Sequence, residues 1–201
     1  LILGGHNNDT IIAGEGDNVV AGDDAAIEFT RQERDGIAEG VTSGGDLNAS
    51  DIDLVVSLST NEFGEVDNIT TGNGNDIVIG GRYGDLIDAA GGNNIVVGDS
   101  VIITAANENG NRFGAQGITV GRIETTAFND GGIDTITSLA GNDTILGGHL
   151  GDIINAGEGD NVVLGDDGAV DYVRLERGGA TPGADTNAAD IDFITSLSTM
   201  L

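Results

Sequence analysis

Short apolar segments separated by glycine-rich polar turns recur along this chain at intervals of about nine residues. In residues 131–166, GGIDTITSLAGNDTILGGHLGDIINAGEGDNVVLGD, an aspartate stands at positions 134, 143, 152 and 160, and a branched aliphatic residue follows each by two positions. A period of nine is not helical, and it is too short for a strand–helix–strand unit. The pattern therefore predicts strands of three or four residues joined by tight turns, in coils that stack on one another.

The nine-residue repeat is interrupted three times, and these interruptions divide the chain into roll blocks and inserts. We predict roll blocks at residues 1–23, 53–99, 134–166 and 192–201, the last being the start of a further block. The inserts between them are expected at residues 24–52, 100–133 and 167–191. The first insert is predicted to form a hairpin that leaves one edge of the roll, and the longer second insert to form two strands, at 101–104 and 118–125.

A second and longer period relates the blocks to each other. The eight residues AGEGDNVV occur at 13–20 and again at 156–163, a separation of 143 positions. The chain is thus predicted to be an A-B-A excerpt of a long array. Tandem arrays of this kind are stabilised by the stacking of neighbouring repeats.

The position two residues after each aspartate is expected to point into the roll. This predicts two facing ladders of inward aliphatic side chains: Ile11, Val19, Ile69, Val78, Ile87, Ile136, Ile145, Ile154 and Val162. Other aliphatic residues are expected to form outward strips, which either the inserts or neighbouring copies would cover: Ile12, Val20, Val56, Ile79, Val96, Leu146 and Val163.

Composition and charge indicate a protein that binds cations rather than an ordinary globular domain with a thick core. The chain has 35 glycines among 201 residues and only 3% aromatic residues, so a thick core is not expected. Its 34 acidic residues outnumber 7 basic ones, and the net charge of −27 makes a compact fold repel itself unless cations enter it. Because the aspartates are periodic beside aliphatic residues, bound cations explain them better than disorder does. Nucleic acid is not an expected partner, and no apolar run is long enough to predict a transmembrane segment.

Two stretches match a known repeat template. Residues 71–79, TGNGNDIVI, fit G-G-x-G-x-D-x-U-x, in which U is a large aliphatic residue, and residues 147–155, GGHLGDIIN, fit it more loosely. The chain resembles the RTX (repeats-in-toxin) family of secreted bacterial proteins. The resemblance implies an all-β fold, namely a parallel β-roll or β-solenoid interrupted by β-hairpin inserts. It also implies several bound Ca²⁺ ions and an extracellular or cell-surface location.

The resemblance to the RTX family implies that each calcium ion lies between stacked turns, where aspartate side chains and turn carbonyls bind it. Calcium takes six to eight oxygen ligands, and carboxylates, amides and backbone carbonyls all supply them. The predicted metal ligands are Asp9, Asp17, Asp23, Asp53, Asp67, Asp76, Asp85, Asn93, Asp99, Asp134, Asp143, Asp152, Asp160, Asp166 and Asp192. The expected pairs are Asp67 with Asp85, Asp76 with Asn93, Asp134 with Asp152, and Asp143 with Asp160.

Some of these ligands leave alternatives open. Asn93 keeps an oxygen but loses a charge, which predicts a weaker site, and the eight-residue steps before Asp17, Asn93 and Asp160 depart from the family spacing. Asp23, Asp99 and Asp166 each follow a glycine at a block end, where a last-turn ligand and a turn cap are both expected roles. A metal-free β-solenoid with Asn/Asp turns would show the same period.

The sequence contains no catalytic motif, so we expect no enzyme. The first hypothesis is a calcium-stabilised structural segment of an extracellular filament, surface-layer, matrix or adhesin protein. Its partners would be copies of itself or neighbouring repeats in a fibre, and a cell-surface or matrix component. The alternative is an RTX secretion and folding domain attached to a secreted enzyme or toxin. Ice binding on a flat face is disfavoured, because the outward positions are chemically mixed.

Overall fold

The chain folds entirely into short strands joined by turns. The computed structural model describes residues 1–29, 51–58, 63–106, 113–115, 117–172 and 190–197, and no helix occurs within these ranges. The strands are, in chain order, β1 (Ile2–Leu3), β2 (Thr10–Gly14), β3 (Val19–Ala21), β4 (Ala25–Glu28), β5 (Leu54–Ser57), β6 (Asn68–Thr71), β7 (Ile77–Ile79), β8 (Leu86–Asp88), β9 (Ile95–Val97), β10 (Val101–Ala105), β11 (Val120–Thr125), β12 (Thr135–Thr137), β13 (Thr144–Leu146), β14 (Ile153–Asn155), β15 (Val162–Leu164), β16 (Gly168–Asp171) and β17 (Phe193–Ser196).

Two parallel sheets form the predicted β-roll. The outer sheet has the order β14-β12-β8-β6-β2, and the central sheet has the order β1-β3-β7-β9-β13-β15. The chain alternates between them, so each coil contributes one strand to each sheet. Both sheets keep a parallel register from coil to coil. The all-β fold with parallel sheets predicted from the nine-residue period is confirmed.

A third sheet is built from the inserts and was not predicted. It is antiparallel, with the order β17-β16-β11-β10-β5-β4, so hairpin strands from all three inserts pair with one another. The assignment of Asp53 with Val55 and of Asp192 with Ile194 to the roll is wrong, because β5 and β17 pair antiparallel in this insert sheet. Both segments follow the roll's Asp-x-aliphatic pattern, and only their long-range pairing distinguishes them. The segments 31–34 and 174–177, which carry the charged parts of the first and third inserts, lie outside the described residues.

The inner core lies between the outer and central sheets. Its outer-sheet ladder is Ile11, Ile69, Ile87 and Ile136, and its central-sheet ladder is Val20, Val78, Val96 and Ile145, with Ile154 partly buried at one end. Most of the predicted inward positions are confirmed. Val19 and Val162 are the exceptions, since they face away from the inner core and Val20 takes the inward position.

A second core lies between the central sheet and the insert sheet. It joins outward side chains of the central sheet, including Ile79 and Leu146, to insert residues such as Ile103 and Ile123. Of the predicted outward strips, Val20 and Val96 are in fact buried in the inner core. Ile79 and Leu146 do point outward and are buried beneath the inserts, Val56 is half-buried, and Ile12 and Val163 are exposed. The inserts therefore fold back over the roll, and the molecule has three layers.

The depth of the inner core predicts a large cost for truncating its ladder. Ile145 is fully buried, so Ile145→Ala is expected to lower the free energy of unfolding by about 2–5 kcal/mol through lost contacts and a residual cavity. Ile153→Ala is the matched control: this side chain is 63% exposed on the outer sheet and should change stability by less than about 0.5 kcal/mol. Denaturant unfolding in millimolar calcium measures both. Equal effects from the two variants would contradict the register.

Candidate metal centre

The turns that lead into the outer sheet each carry one aspartate, and the five side chains stack in a column. We call this column the aspartate edge; its members are Asp9, Asp67, Asp85, Asp134 and Asp152. Each carboxylate after the first accepts, through Oδ1, a hydrogen bond from the backbone N–H of the aspartate in the preceding coil, at 2.6 to 2.9 Å. The stacking follows from the parallel register of the outer sheet, because every one of these aspartates directly precedes a strand. Asp67 thus stacks on Asp85 and Asp134 on Asp152, as the spacing predicts.

The other carboxylate oxygen, Oδ2, is buried and has no hydrogen-bond partner in any of the five. Three of these residues, Asp67, Asp85 and Asp134, are at most 2% exposed. A buried ionised oxygen without a partner is strongly unfavourable, so this column of carboxylates requires either protons or cations. This is the feature of the structure that points most directly to a metal.

Each Oδ2 lies beside the Cα of the glycine that directly follows the preceding roll strand of the central sheet, in the space that a side chain there would fill. The glycines are Gly4, Gly22, Gly80, Gly98 and Gly147, and the carbonyl oxygen of the equivalent glycine in the next coil reaches the same space. A methyl group on Gly22, for example, would overlap Asp67 Oδ2 and lie 2.6 Å from the carbonyl oxygen of Gly80. Each turn of the aspartate edge therefore forms a cradle of carboxylate and carbonyl oxygens.

Burial raises the pKa values of four carboxyl groups of this edge, Asp67, Asp85, Asp134 and Asp152, and that of the block-end residue Asp99. Desolvation is the largest cause in each case, and the neighbouring carboxylates add to it: the pKa rises to about 6 for Asp67, about 7 for Asp134, about 9 for Asp99 and about 10 for Asp85. The pKa of Asp152 is raised for the same first reason. Without a cation, Asp85 and Asp99 are therefore held in their protonated form in the folded turns at neutral pH.

Two further columns stack at the opposite edge, where turns lead into the central sheet. The inner column, which we call the asparagine edge, is Asn18, Asp76, Asn94, Asp143 and Asn161, joined by side chain to backbone hydrogen bonds of 2.7 to 3.0 Å. The outer column is Asp17, Asn75, Asn93, Asn142 and Asp160, joined in the same way at 2.7 to 2.9 Å.

The predicted pairs at this edge are therefore wrong by one residue. Asp76 stacks with Asn94 rather than Asn93, and Asp143 with Asn161 rather than Asp160. The physical reason is that asparagine occupies the stacking position in alternate coils, and its amide oxygen accepts the same backbone hydrogen bond as a carboxylate.

With asparagine included, the nine-residue step is unbroken. It runs from Asp9 to Asn18, and equally from residue 85 to 94 and from 152 to 161. The apparent eight-residue steps arose from counting Asp17, Asn93 and Asp160 instead. The aliphatic residue two positions after each asparagine, such as Val20, is the sequence signal that identifies the correct position.

The aspartates at the block ends cap neighbouring turns. Asp23 Oδ2 accepts a hydrogen bond from the Arg82 backbone N–H at 2.6 Å. The carboxylate of Asp99 accepts hydrogen bonds from the backbone N–H groups of Gly132, at 2.9 Å, and His149, at 2.5 Å. Asp166, the third block-end aspartate, is exposed. Asp23 and Asp99 therefore cap turns through these hydrogen bonds, and a ligand role for them stays a prediction.

Two predicted ligands lie apart from all of these columns. Asp53 and Asp192 precede strands of the insert sheet, and their backbone N–H groups bond to the carbonyl oxygens of Glu28 and Asp171. They are therefore placed beside the insert hairpins and not in the roll turns.

The donor set of the aspartate edge fits calcium. Within the described residues, no three Asp, Glu, His or Cys side chains form a preformed metal cluster. An ion here would instead bind carboxylate oxygens of stacked aspartates and complete its shell with glycine carbonyls, each of which has a second lone pair beyond its backbone hydrogen bond. Such an all-oxygen set suits a hard cation and lacks the nitrogen or sulfur ligands of a typical zinc site.

The raised pKa values give the metal-free protein an expected dependence on pH. A carboxyl group whose pKa is higher in the folded state contributes stability fully below its unfolded value, about 3.8, and loses it as the pH rises through the folded values of about 6 to 10. In excess chelator, the β-type circular dichroism should therefore be stronger at pH 5, where protons replace the cation, than at pH 8. Saturating calcium should reduce the difference, and a chelated protein with the stronger β-type signal at pH 8 would contradict the assignment.

Comparison with protein families identifies the repeats themselves. The family model described as RTX calcium-binding nonapeptide repeat matches four stretches of the chain, at residues 1–26, 70–100, 128–149 and 151–169. These stretches contain most of the roll strands and four of the five members of the aspartate edge. No curated protein and no solved structure matches the chain. In the described part of the chain, no helix is long and apolar enough to cross a membrane.

Proposed function

Because this chain belongs to the family of RTX calcium-binding nonapeptide repeats, which bind calcium ions and occur in secreted proteins, we propose that it is a calcium-stabilised structural segment of an extracellular repeat protein. In this proposal its role is mechanical, as part of a filament, surface layer, matrix or adhesin stalk. We assign it no catalytic activity. It works outside the cell, where calcium is abundant enough to fill weak sites.

The observation that carries the proposal is the continuity of the insert sheet. Hairpin strands from three successive inserts pair with one another in one six-stranded sheet, and this sheet packs along the central sheet of the roll. Inserts that served independent purposes would have no need to pair across blocks. Their pairing makes each block continuous with the next in all three layers, which is the property that a load-bearing array requires.

The long sequence period supports the same role. The segment AGEGDNVV at 13–20 recurs at 156–163, and the two copies occupy equivalent turns and strands of the roll. Further blocks of the same kind would extend both the roll and the insert sheet by strand pairing. The partners in this proposal are neighbouring repeats or further copies of the chain, and a cell-surface or matrix component at the point of attachment.

Solution scattering of the intact protein tests this function. In millimolar calcium, the small-angle X-ray profile is expected to fit an elongated particle of constant cross-section. Electron micrographs should show rods of matching width. A compact globular profile would contradict the proposal.

The alternative, a secretion and folding domain for an attached enzyme or toxin, predicts a different result. Deleting residues 1–201 from the intact protein would then abolish the secretion or the activity of the remainder. In the structural role, the deletion shortens the rod and leaves secretion intact.

A further inference from the structure

The two turn edges of the roll share a backbone design and differ in side-chain chemistry. Both use stacked side-chain oxygens to accept backbone N–H groups from the adjacent coil. Along the aspartate edge, all five stacking positions carry a carboxylate. Along the asparagine edge, amide and carboxylate alternate strictly in the order of the stack: Asn18, Asp76, Asn94, Asp143 and Asn161.

The amide groups of the asparagine edge occupy the oxygens that a metal would need. The Asn18 side-chain nitrogen donates to the carbonyl oxygens of Gly14, at 3.2 Å, and Gly16, at 2.6 Å. The Asn94 side-chain nitrogen donates to the carbonyl oxygens of Ala89 and Gly92, both at 3.3 Å. At the far coil, Asn161 donates to the Ala156 carbonyl oxygen at 2.9 Å.

Fewer carboxylate oxygens of this edge are buried without a hydrogen-bond partner than on the aspartate edge. Asp143 Oδ2 accepts a hydrogen bond from the Ser138 hydroxyl and Asp143 Oδ1 accepts one from the Asn94 backbone N–H, both at 2.7 Å, so both oxygens are satisfied within the protein. Only Asp76 keeps a buried Oδ2 without a hydrogen-bond partner. Its stacked neighbours are Asn18 and Asn94, whose amides already donate hydrogen bonds, so no two successive members of this column are both carboxylates.

We infer that calcium binds along the aspartate edge only, and that the amides of Asn18, Asn94 and Asn161 close the asparagine edge without metal. The side-chain –NH₂ group takes the place of the cation by donating to the turn carbonyls. The roll is therefore metal-dependent on one side and metal-independent on the other. This inference rests on the calcium-binding part of the proposed function and holds whether the segment serves a fibre or a secretion domain.

Calcium stoichiometry tests the inference. Five stacked aspartates leave four gaps, one for each carboxylate to backbone hydrogen bond along the column, so about four ions are expected per chain. The measurement is equilibrium dialysis followed by elemental analysis.

Asp85→Asn removes a carboxylate that borders two gaps, and this variant is expected to bind up to two ions fewer than the wild-type chain. The matched variant Asp76→Asn, at the opposite edge, should keep the full number, and an equal loss from both variants would overturn the inference.

The reverse substitution adds a carboxylate where the structure has an amide. Asn94→Asp stacks three carboxylates in succession at the asparagine edge and removes the two hydrogen bonds to turn carbonyls. It is expected to bind more calcium than the wild-type chain and to melt at a lower temperature in limiting calcium. An unchanged stoichiometry would contradict the role assigned to the amide.

Anomalous diffraction from wild-type crystals soaked in terbium, a calcium substitute, is independent of any variant's folding. Peaks should lie beside the aspartate edge and be absent beside Asn18, Asp76 and Asp143. Peaks at both edges would overturn the one-sided assignment and leave the calcium-binding function intact. If no metal peak is found at the aspartate edge or at the asparagine edge, both the one-sided assignment and the calcium-binding function are contradicted.

Discussion

Excess chelator is expected to abolish the β-type circular dichroism of this chain, and added calcium is expected to restore it. The reason lies in the aspartate edge, where five carboxylates stack at a strand spacing of about 4.8 Å and each has a buried oxygen without a protein partner. At neutral pH and without a cation, each of these groups must either take up a proton or repel its stacked neighbours, and a net charge of −27 adds to that repulsion. Cation binding is then coupled to folding, because the unfolded chain does not hold the turn oxygens together.

Titrating calcium into the chelated protein, followed by circular dichroism, measures this coupling. Extracellular calcium modules have dissociation constants of about 10⁻⁴ to 10⁻³ M, and the folding midpoint is expected in that range. Magnesium at the same concentration is the control, since it demands a tighter octahedral shell and dehydrates reluctantly. A spectrum and melting temperature that remain unchanged in chelator would show that the fold needs no metal.

Gly98→Ala is expected to disrupt one metal cradle without straining the backbone. A methyl group on Gly98 would overlap Asp134 Oδ2 and the carbonyl oxygen of Gly147, so the carboxylate or the turn must move. Overpacking of this kind costs about 1–3 kcal/mol, and the displaced oxygens would no longer converge on a cation. The variant should bind less calcium and require a higher calcium concentration to fold.

Gly151→Ala is the matched control for this change. Gly151 lies in another turn of the aspartate edge, and an added methyl there meets no atom within 4 Å. Its calcium dependence should match that of the unmodified chain. If Gly98→Ala folds at the same calcium concentration as Gly151→Ala, the space beside Gly98 is not part of a metal site.

Local spacing was sufficient to predict the roll. The Asp-x-Ile pattern at Asp134 and Ile136 repeats every nine residues, and both the inward register of Ile136 and the stacking of Asp134 on Asp152 follow from it. The same rule failed at Val19 and Val162 because Asp17 and Asp160 directly precede the asparagines, Asn18 and Asn161, that occupy the stacking position. Asparagine offers the same acceptor oxygen, so hydrogen bonding alone does not distinguish the two residues.

The insert sheet could not be predicted from spacing. Val55 follows Asp53 by two positions just as Ile136 follows Asp134, and both are fully buried. The difference is in which strands they pair with: β5 lies between β4 and β10, and the latter pairing joins segments from different inserts. Pairing between segments so far apart depends on the stacking of the roll beneath them, which no local pattern records.

Each insert follows a strand of the central sheet, namely β3, β9 or β15, and this placement has a consequence for chain entropy. Stacked aspartates in uninterrupted coils are 18 residues apart, and those that flank the first and second inserts are 58 and 49 residues apart. Because closure entropy grows only with the logarithm of loop length, lengthening the loop from 18 to 58 residues costs only about 1 kcal/mol. Insert length is therefore nearly neutral for the equilibrium between folded and unfolded chain, and it acts mainly on the order of folding. Coils with partners 18 residues away are expected to close first, and the junctions across inserts afterwards.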